Sequence, residues 1–112
     1  MMWRRELELA KGLALQAGER ALRMRGEGLR PEGKPDRSLV TAADRACEQF
    51  LAQALAEQFP DDGFLGEEGA WRQSRSGRKW IVDPVDGTLD YVRGIPFWSV
   101  LIALEDQEGV AV

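Results

Sequence analysis

Trp80-Ile81-Val82-Asp83-Pro84-Val85-Asp86-Gly87-Thr88 is the stretch that decides how this chain folds and what it carries. An apolar run delivers Asp83 at the end of a strand. Pro84 then forces a turn that returns Asp86 beside Asp83, with the Val85 carbonyl between them. Two carboxylates and a carbonyl are thereby aimed at one point. Carboxylates held so close repel unless a cation lies between them, and hard ions such as Mg²⁺ take oxygen ligands. Beyond Asp86, Gly87-Thr88-Leu89-Asp90-Tyr91 can open a helical turn whose unpaired N–H groups suit a phosphate oxygen. A plain Pro-Asp-Gly turn is the alternative, but such turns seldom place one Asp before the Pro and a Thr after the Gly.

Upstream, the apolar residues Leu7, Ala10, Leu13, Ala14, Ala17, Ala21 and Leu22 recur at helical spacing from Trp3 to about Met24. Gly26, Gly28, Pro31, Gly33 and Pro35 break that helix and mark Arg25–Ser38 as a loop or loose hairpin. A second helix opens at the capping-box pattern Thr41-Ala42-Ala43-Asp44, carries Cys47, Phe50, Leu51, Ala54, Leu55 and Phe59 on one face, and stops at Pro60. After it come the strand-like Phe64-Leu65-Gly66, a polar loop to Arg78, a strand over Lys79–Asp83 and another over Phe97–Leu104. Residues 1–112 form a single α+β unit, two amino-terminal helices packed on a mostly antiparallel sheet. Gly109–Val112 reads as the start of a further strand, pairing with Phe97–Leu104 across a turn at Glu105–Glu108. The chain stops inside it and reads as truncated.

Composition removes several chemistries. The chain has no histidine and a single cysteine, Cys47, so within it a Ser-His triad, a histidine nucleophile and a histidine-ligated zinc are ruled out. Cys47 lacks the arginine that a cysteine-dependent phosphatase loop needs, Gln53 standing in its place, and reads as a buried helix residue. A formal net charge of −4, from 15 Lys+Arg against 19 Asp+Glu, offers no global field for nucleic acid or an anionic membrane. No signal peptide or membrane span is legible, and a cytoplasmic protein is the default expectation. Trp3, Trp71, Trp80 and Trp98 read as core or interface anchors.

Asp83-Pro84-Val85-Asp86-Gly87-Thr88, Gly66-Glu67-Glu68 and Val40-Thr41-Ala42-Ala43-Asp44 together resemble the inositol monophosphatase superfamily in order and spacing. The resemblance runs from about Lys34 to the end. It implies the amino-terminal half of a layered α/β/α/β/α phosphatase fold. By that resemblance Glu67, Asp83, the Val85 carbonyl and Asp86 are metal ligands, and Asp44 and Thr88 orient the attacking water. Gly87 and Thr88 meet the phosphate, Glu68 is a nearby acid, and Lys34 lies on a loop near the site. The superfamily uses two or three Mg²⁺ ions to bind phosphate, lower the pKa of a water and stabilise the leaving alkoxide. A small phosphorylated alcohol as substrate and a homodimer are implied as well. The family's second motif, a Trp-Asp pair that supplies another metal-binding Asp and pocket walls, is not in this sequence.

Three other readings compete. Haloacid-dehalogenase-type phosphatases also place acids after an apolar strand, but closer together than the three-residue separation of Asp83 and Asp86. A fragment serving only in dimerisation or interaction is the non-catalytic alternative. Within the superfamily, Asp90–Leu104 and Lys34-Pro35-Asp36 look closer to histidinol-phosphatases than to animal inositol enzymes, and bisphosphate nucleotidases look more distant.

Overall fold

Helix α1 runs from Arg4 to Gly26, and α2 from Ala42 to Gln58. The computed structural model describes residues 3–26, 32–33, 39–40, 42–87, 93 and 98–110. Ala10, Leu13, Ala17 and Ala21 form the buried stripe of α1, and its alanines let α2 approach closely. The Cys47 thiol on α2 donates to the Ala17 carbonyl of α1 at 3.3 Å. Beyond the last turn of α2, the Phe59 N–H still bonds the Leu55 carbonyl at 2.8 Å, and Pro60 cannot extend the pattern.

Five strands build the main sheet: β3 (Gly63–Gly66), β4 (Trp71–Arg72), β5 (Lys79–Asp86), β6 (Ser99–Asp106) and β7 (Gly109–Val110), in the order β4-β3-β5-β6-β7. A separate two-residue hairpin joins β1 (Glu32–Gly33) to β2 (Leu39–Val40). Every neighbouring pair is antiparallel except β3 and β5, which run parallel. The polar loop expected before Arg78 therefore contains β4, a short edge strand too brief to carry a readable alternation. The final hairpin is tighter than expected: β6 continues to Asp106 and turns over Gln107 and Glu108 alone, with Gly109 at φ 119°.

The largest difference lies in the deciding stretch. Pro84 does not end β5 in a turn; the strand runs on to Asp86 through a bulge. Asp83 stands opposite Leu101 and Asp86 opposite Ser99, so Pro84 and Val85 together face one residue, Val100. A bulge is where a strand tolerates a residue with no N–H. The buried side chains of Pro84 and Val85 hold the bend against the core.

Helices and sheet meet around Trp80, which is fully buried and stacks on Phe59 with ring centroids 5.5 Å apart. Its indole N–H donates to Asp62 Oδ2 at 3.0 Å. Asp62 also accepts from Ser76 Oγ at 2.6 Å and from Arg78 Nη2 at 2.6 Å, while Arg78 Nη1 reaches Glu6 on α1 at 2.9 Å. One buried carboxylate thus ties the loop before β5 to β5 itself, and Arg78 carries the link on to α1. The opposite face of the sheet leaves Leu65, Trp71 and Leu101 exposed.

Burial foremost, and then the charge of Asp44, pushes the Cys47 thiol up to about 11. The thiolate is the reactive form. Native protein is therefore expected to resist iodoacetamide at pH 8 and to be alkylated at its single cysteine only on unfolding, as mass spectrometry across a urea series would show. Rapid labelling without urea would mean that the α1–α2 contact opens readily.

Candidate active site

Strand β5 is the middle strand of the sheet, and its carboxyl end carries Asp83, the Pro84–Val85 bulge and Asp86. Because β3 is parallel to β5, both strands end on the same side. Gly66 stands opposite Val82, and the ladder continues one step further, with the Glu67 N–H donating to the Val82 carbonyl at 3.0 Å. That step sets Glu67 beside Asp83. Asp44, in the first turn of α2, is fully buried and adds its charge at the same place.

The electrostatics report how close these acids are. Burial first, then the charge of Glu67, a hydrogen bond shared with Asp86 and the charges of Asp86 and Asp44 push the Asp83 carboxyl up to about 6. Two carboxylates can share a hydrogen bond only with a proton between them. Asp83, Asp86, Glu67 and Asp44 are therefore assembled into one acidic cluster by three separate elements. They are not closed on one point: among the described residues no three Asp or Glu side chains surround a space that could hold an ion. The chemistry nonetheless fits a hard cation, since the donors are all oxygen and the repulsion that raises the Asp83 carboxyl is what a cation would relieve.

The remaining expected residues fall out differently. Gly87 follows the strand at φ 85°, a backbone conformation that favours glycine. The Val85 side chain is buried and anchors the bulge from inside. The Glu68 charge, like that of Glu67, acts on Glu48. Thr88, Lys34 and Thr41 lie outside the described residues, so the water-orienting hydroxyl, the loop lysine and the helix cap are not placed. A solvated capping acid would be exposed, whereas Asp44 is not.

Sequence patterning passed over Glu48. It is 1% exposed, and it sits one helical turn after Asp44 on the buried stripe of α2. The signal was present: positions 44, 48, 51 and 55 follow the core period, and an acid at such a position needs a partner. Its partners are the Glu68 N–H at 2.8 Å on Oε1 and the Ala70 N–H at 2.9 Å on Oε2.

Residues 2–112 match the inositol monophosphatase family. The chain is 48% identical over 100 residues to a histidinol-phosphatase of Mycobacterium tuberculosis, covering 88% of this chain and 38% of the relative. A histidinol-phosphatase of Chlorobaculum parvum is 44% identical over 101 residues, covering 89% and 39%. Among solved structures, the extragenic suppressor protein suhB of Bartonella henselae superposes with a TM-score of 0.88 at 33% identity, over 96% of this chain and 43% of that one. The chain therefore spans about two fifths of the length of the relatives it matches.

Proposed function

The chain belongs to the inositol monophosphatase family, and from that premise we propose that the intact protein is a Mg²⁺-dependent phosphomonoesterase acting on a small alcohol phosphate, histidinol phosphate foremost. The observation that carries this reading is the Asp83 cluster, in which acids from β5, the end of β3 and α2 meet at one strand end. The histidinol-phosphatase relatives support the choice of alcohol.

In this reading Glu67, Asp83, the Val85 carbonyl and Asp86 hold the metal, with two or three ions in the intact enzyme. Bound Mg²⁺ supplies Lewis-acid charge to the phosphoryl oxygens and the departing alkoxide and acidifies water. Asp44 accepts a hydrogen bond from the attacking water, with the Thr88 hydroxyl as its counterpart, and so aims the water oxygen at phosphorus. Gly87 and Thr88 offer backbone N–H groups to the phosphate. Glu68 and Lys34 are assigned supporting roles, adjusting the charge around the metal. Burial of Asp44 matters here, because a carboxylate shielded from bulk water keeps its orientation.

The test is phosphate release by the intact purified protein from histidinol phosphate and from inositol 1-phosphate, with Mg²⁺ added and then chelated. Release is expected only with Mg²⁺ and faster with histidinol phosphate. Equal release after chelation would overturn metal dependence, and a preference for inositol phosphate would overturn the choice of alcohol.

A further inference from the structure

On the reading just given, we infer that Glu48 is a positioning residue for the metal site, holding the turn that carries Glu67 through a bidentate carboxylate grip for which Gly66 leaves the space. Glu67 lies in the turn between β3 and β4, and a turn that supplies a ligand needs its backbone fixed. One bond ties it to β5, Glu67 N–H to Val82 O at 3.0 Å, and two close the turn on itself, Gly66 N–H to Ala70 O at 2.8 Å and Gly69 N–H to Gly66 O at 3.2 Å. From the helix side the Glu48 carboxylate supplies the other two, one oxygen to Glu68 N–H and one to Ala70 N–H. The two grips together hold residues 66–70 between α2 and β5.

The carboxylate reaches the turn only because residue 66 is glycine. A Cβ built there falls inside the Glu48 carboxyl group, against its Cδ and both oxygens. The obstacle is the head of a buried side chain that is itself hydrogen-bonded, so it has nowhere to retreat. The Gly in Gly66-Glu67-Glu68 is thus explained by Glu48, 18 positions earlier in the chain. Asp44 and Glu48 share one buried helix face: the first acts on the Asp83 cluster, the second holds the turn of Glu67. Shifts of α2 would move both together.

The inference is tested by Mg²⁺ titration calorimetry and thermal melting on the intact protein, alongside kcat at saturating Mg²⁺. Glu48→Gln keeps the shape but turns an N–H₂ toward one backbone N–H, and should weaken Mg²⁺ affinity about 10- to 100-fold. Its kcat at saturating Mg²⁺ should fall much less. Leu55→Ala, further along the same helix and fully buried, should lower the melting temperature without changing Mg²⁺ affinity. Gly66→Ala should reproduce the affinity loss from the other side of the contact, and it should cost little more when added to Glu48→Ala, where the space is open. Wild-type affinity in both Glu48→Gln and Gly66→Ala would overturn the inference, as would an equal affinity loss in Leu55→Ala. A wild-type protein that does not bind Mg²⁺ would instead overturn the reading of the site on which the inference rests.

Discussion

Asp83→Asn is expected to lower phosphatase activity of the intact protein by about a hundredfold or more while making the metal-free fold no less stable. On the proposed function the loss follows from removing a charged metal ligand at the centre of the cluster, since catalysis there would rest on the metal. The stability effect has the opposite sign because Asp83 is held unfavourably without a cation. Its folded pKa, about 6, lies above the ordinary 3.8. Such a group favours the folded state below its unfolded pKa, and that contribution is lost as pH rises through about 6. At neutral pH the metal-free wild type therefore carries a penalty of about 1 kcal/mol, after allowing for solvent screening of a partly exposed group, and the asparagine relieves it. Thermal melts in chelator at pH 7 and pH 5 check this, with kinetics in Mg²⁺ beside them. Near-normal turnover would remove Asp83 from the metal site, and a large drop in the metal-free melting temperature would make it a structural residue.

The second large effect is expected at Asp62. Burial pushes its carboxyl up, but hydrogen bonds from Arg78, Ser76 and Trp80 and the Arg78 charge outweigh that and hold it below its ordinary value. Asn at this position offers one acceptor oxygen where the carboxylate serves Arg78 Nε, Arg78 Nη2, Ser76 Oγ and Trp80 Nε1. It also turns an amide N–H₂ toward donors. Breaking a buried pair by removing one partner costs about 3–5 kcal/mol, and Asp62→Asn should fall in that range by urea denaturation. The pH dependence is the reverse of that for Asp83. A depressed carboxylate stabilises the fold above its unfolded pKa, and the contribution disappears as pH falls through the folded value. The gap between wild type and Asp62→Asn should therefore shrink on acidification. A gap below about 1 kcal/mol at pH 7 would mean that the network behaves as a surface ion pair.

Much of the molecule was legible in one dimension. The stripe Ala10, Leu13, Ala17, Ala21 and the run Cys47, Leu51, Leu55 give two helices because helical periodicity is local, and Pro60 ends the second for a local reason. The α+β class followed, and so did the grouping of Glu67, Asp83 and Asp86, because the resemblance of three short motifs carries their spatial relation with it.

What local sequence could not supply was everything that depends on residues meeting across the chain. The parallel register of β3 against β5, which sets Glu67 beside Asp83, is decided by the packing of two distant segments. Pro84 signals a break to a local reading, yet the ladder to β6 and the buried Val85 make that break a bulge within a continuing strand. Glu48 is the clearest case. The helical period marks its position as buried, but only the fold shows that the turn at Glu68–Ala70 presents two N–H groups to it. The sequence by itself determined which residue types were available to hold a cation and a phosphate. Only the tertiary structure decided which acids share one field, because electrostatic coupling and hydrogen-bond satisfaction depend on distance through space and burial, and neither is a property of position along the chain.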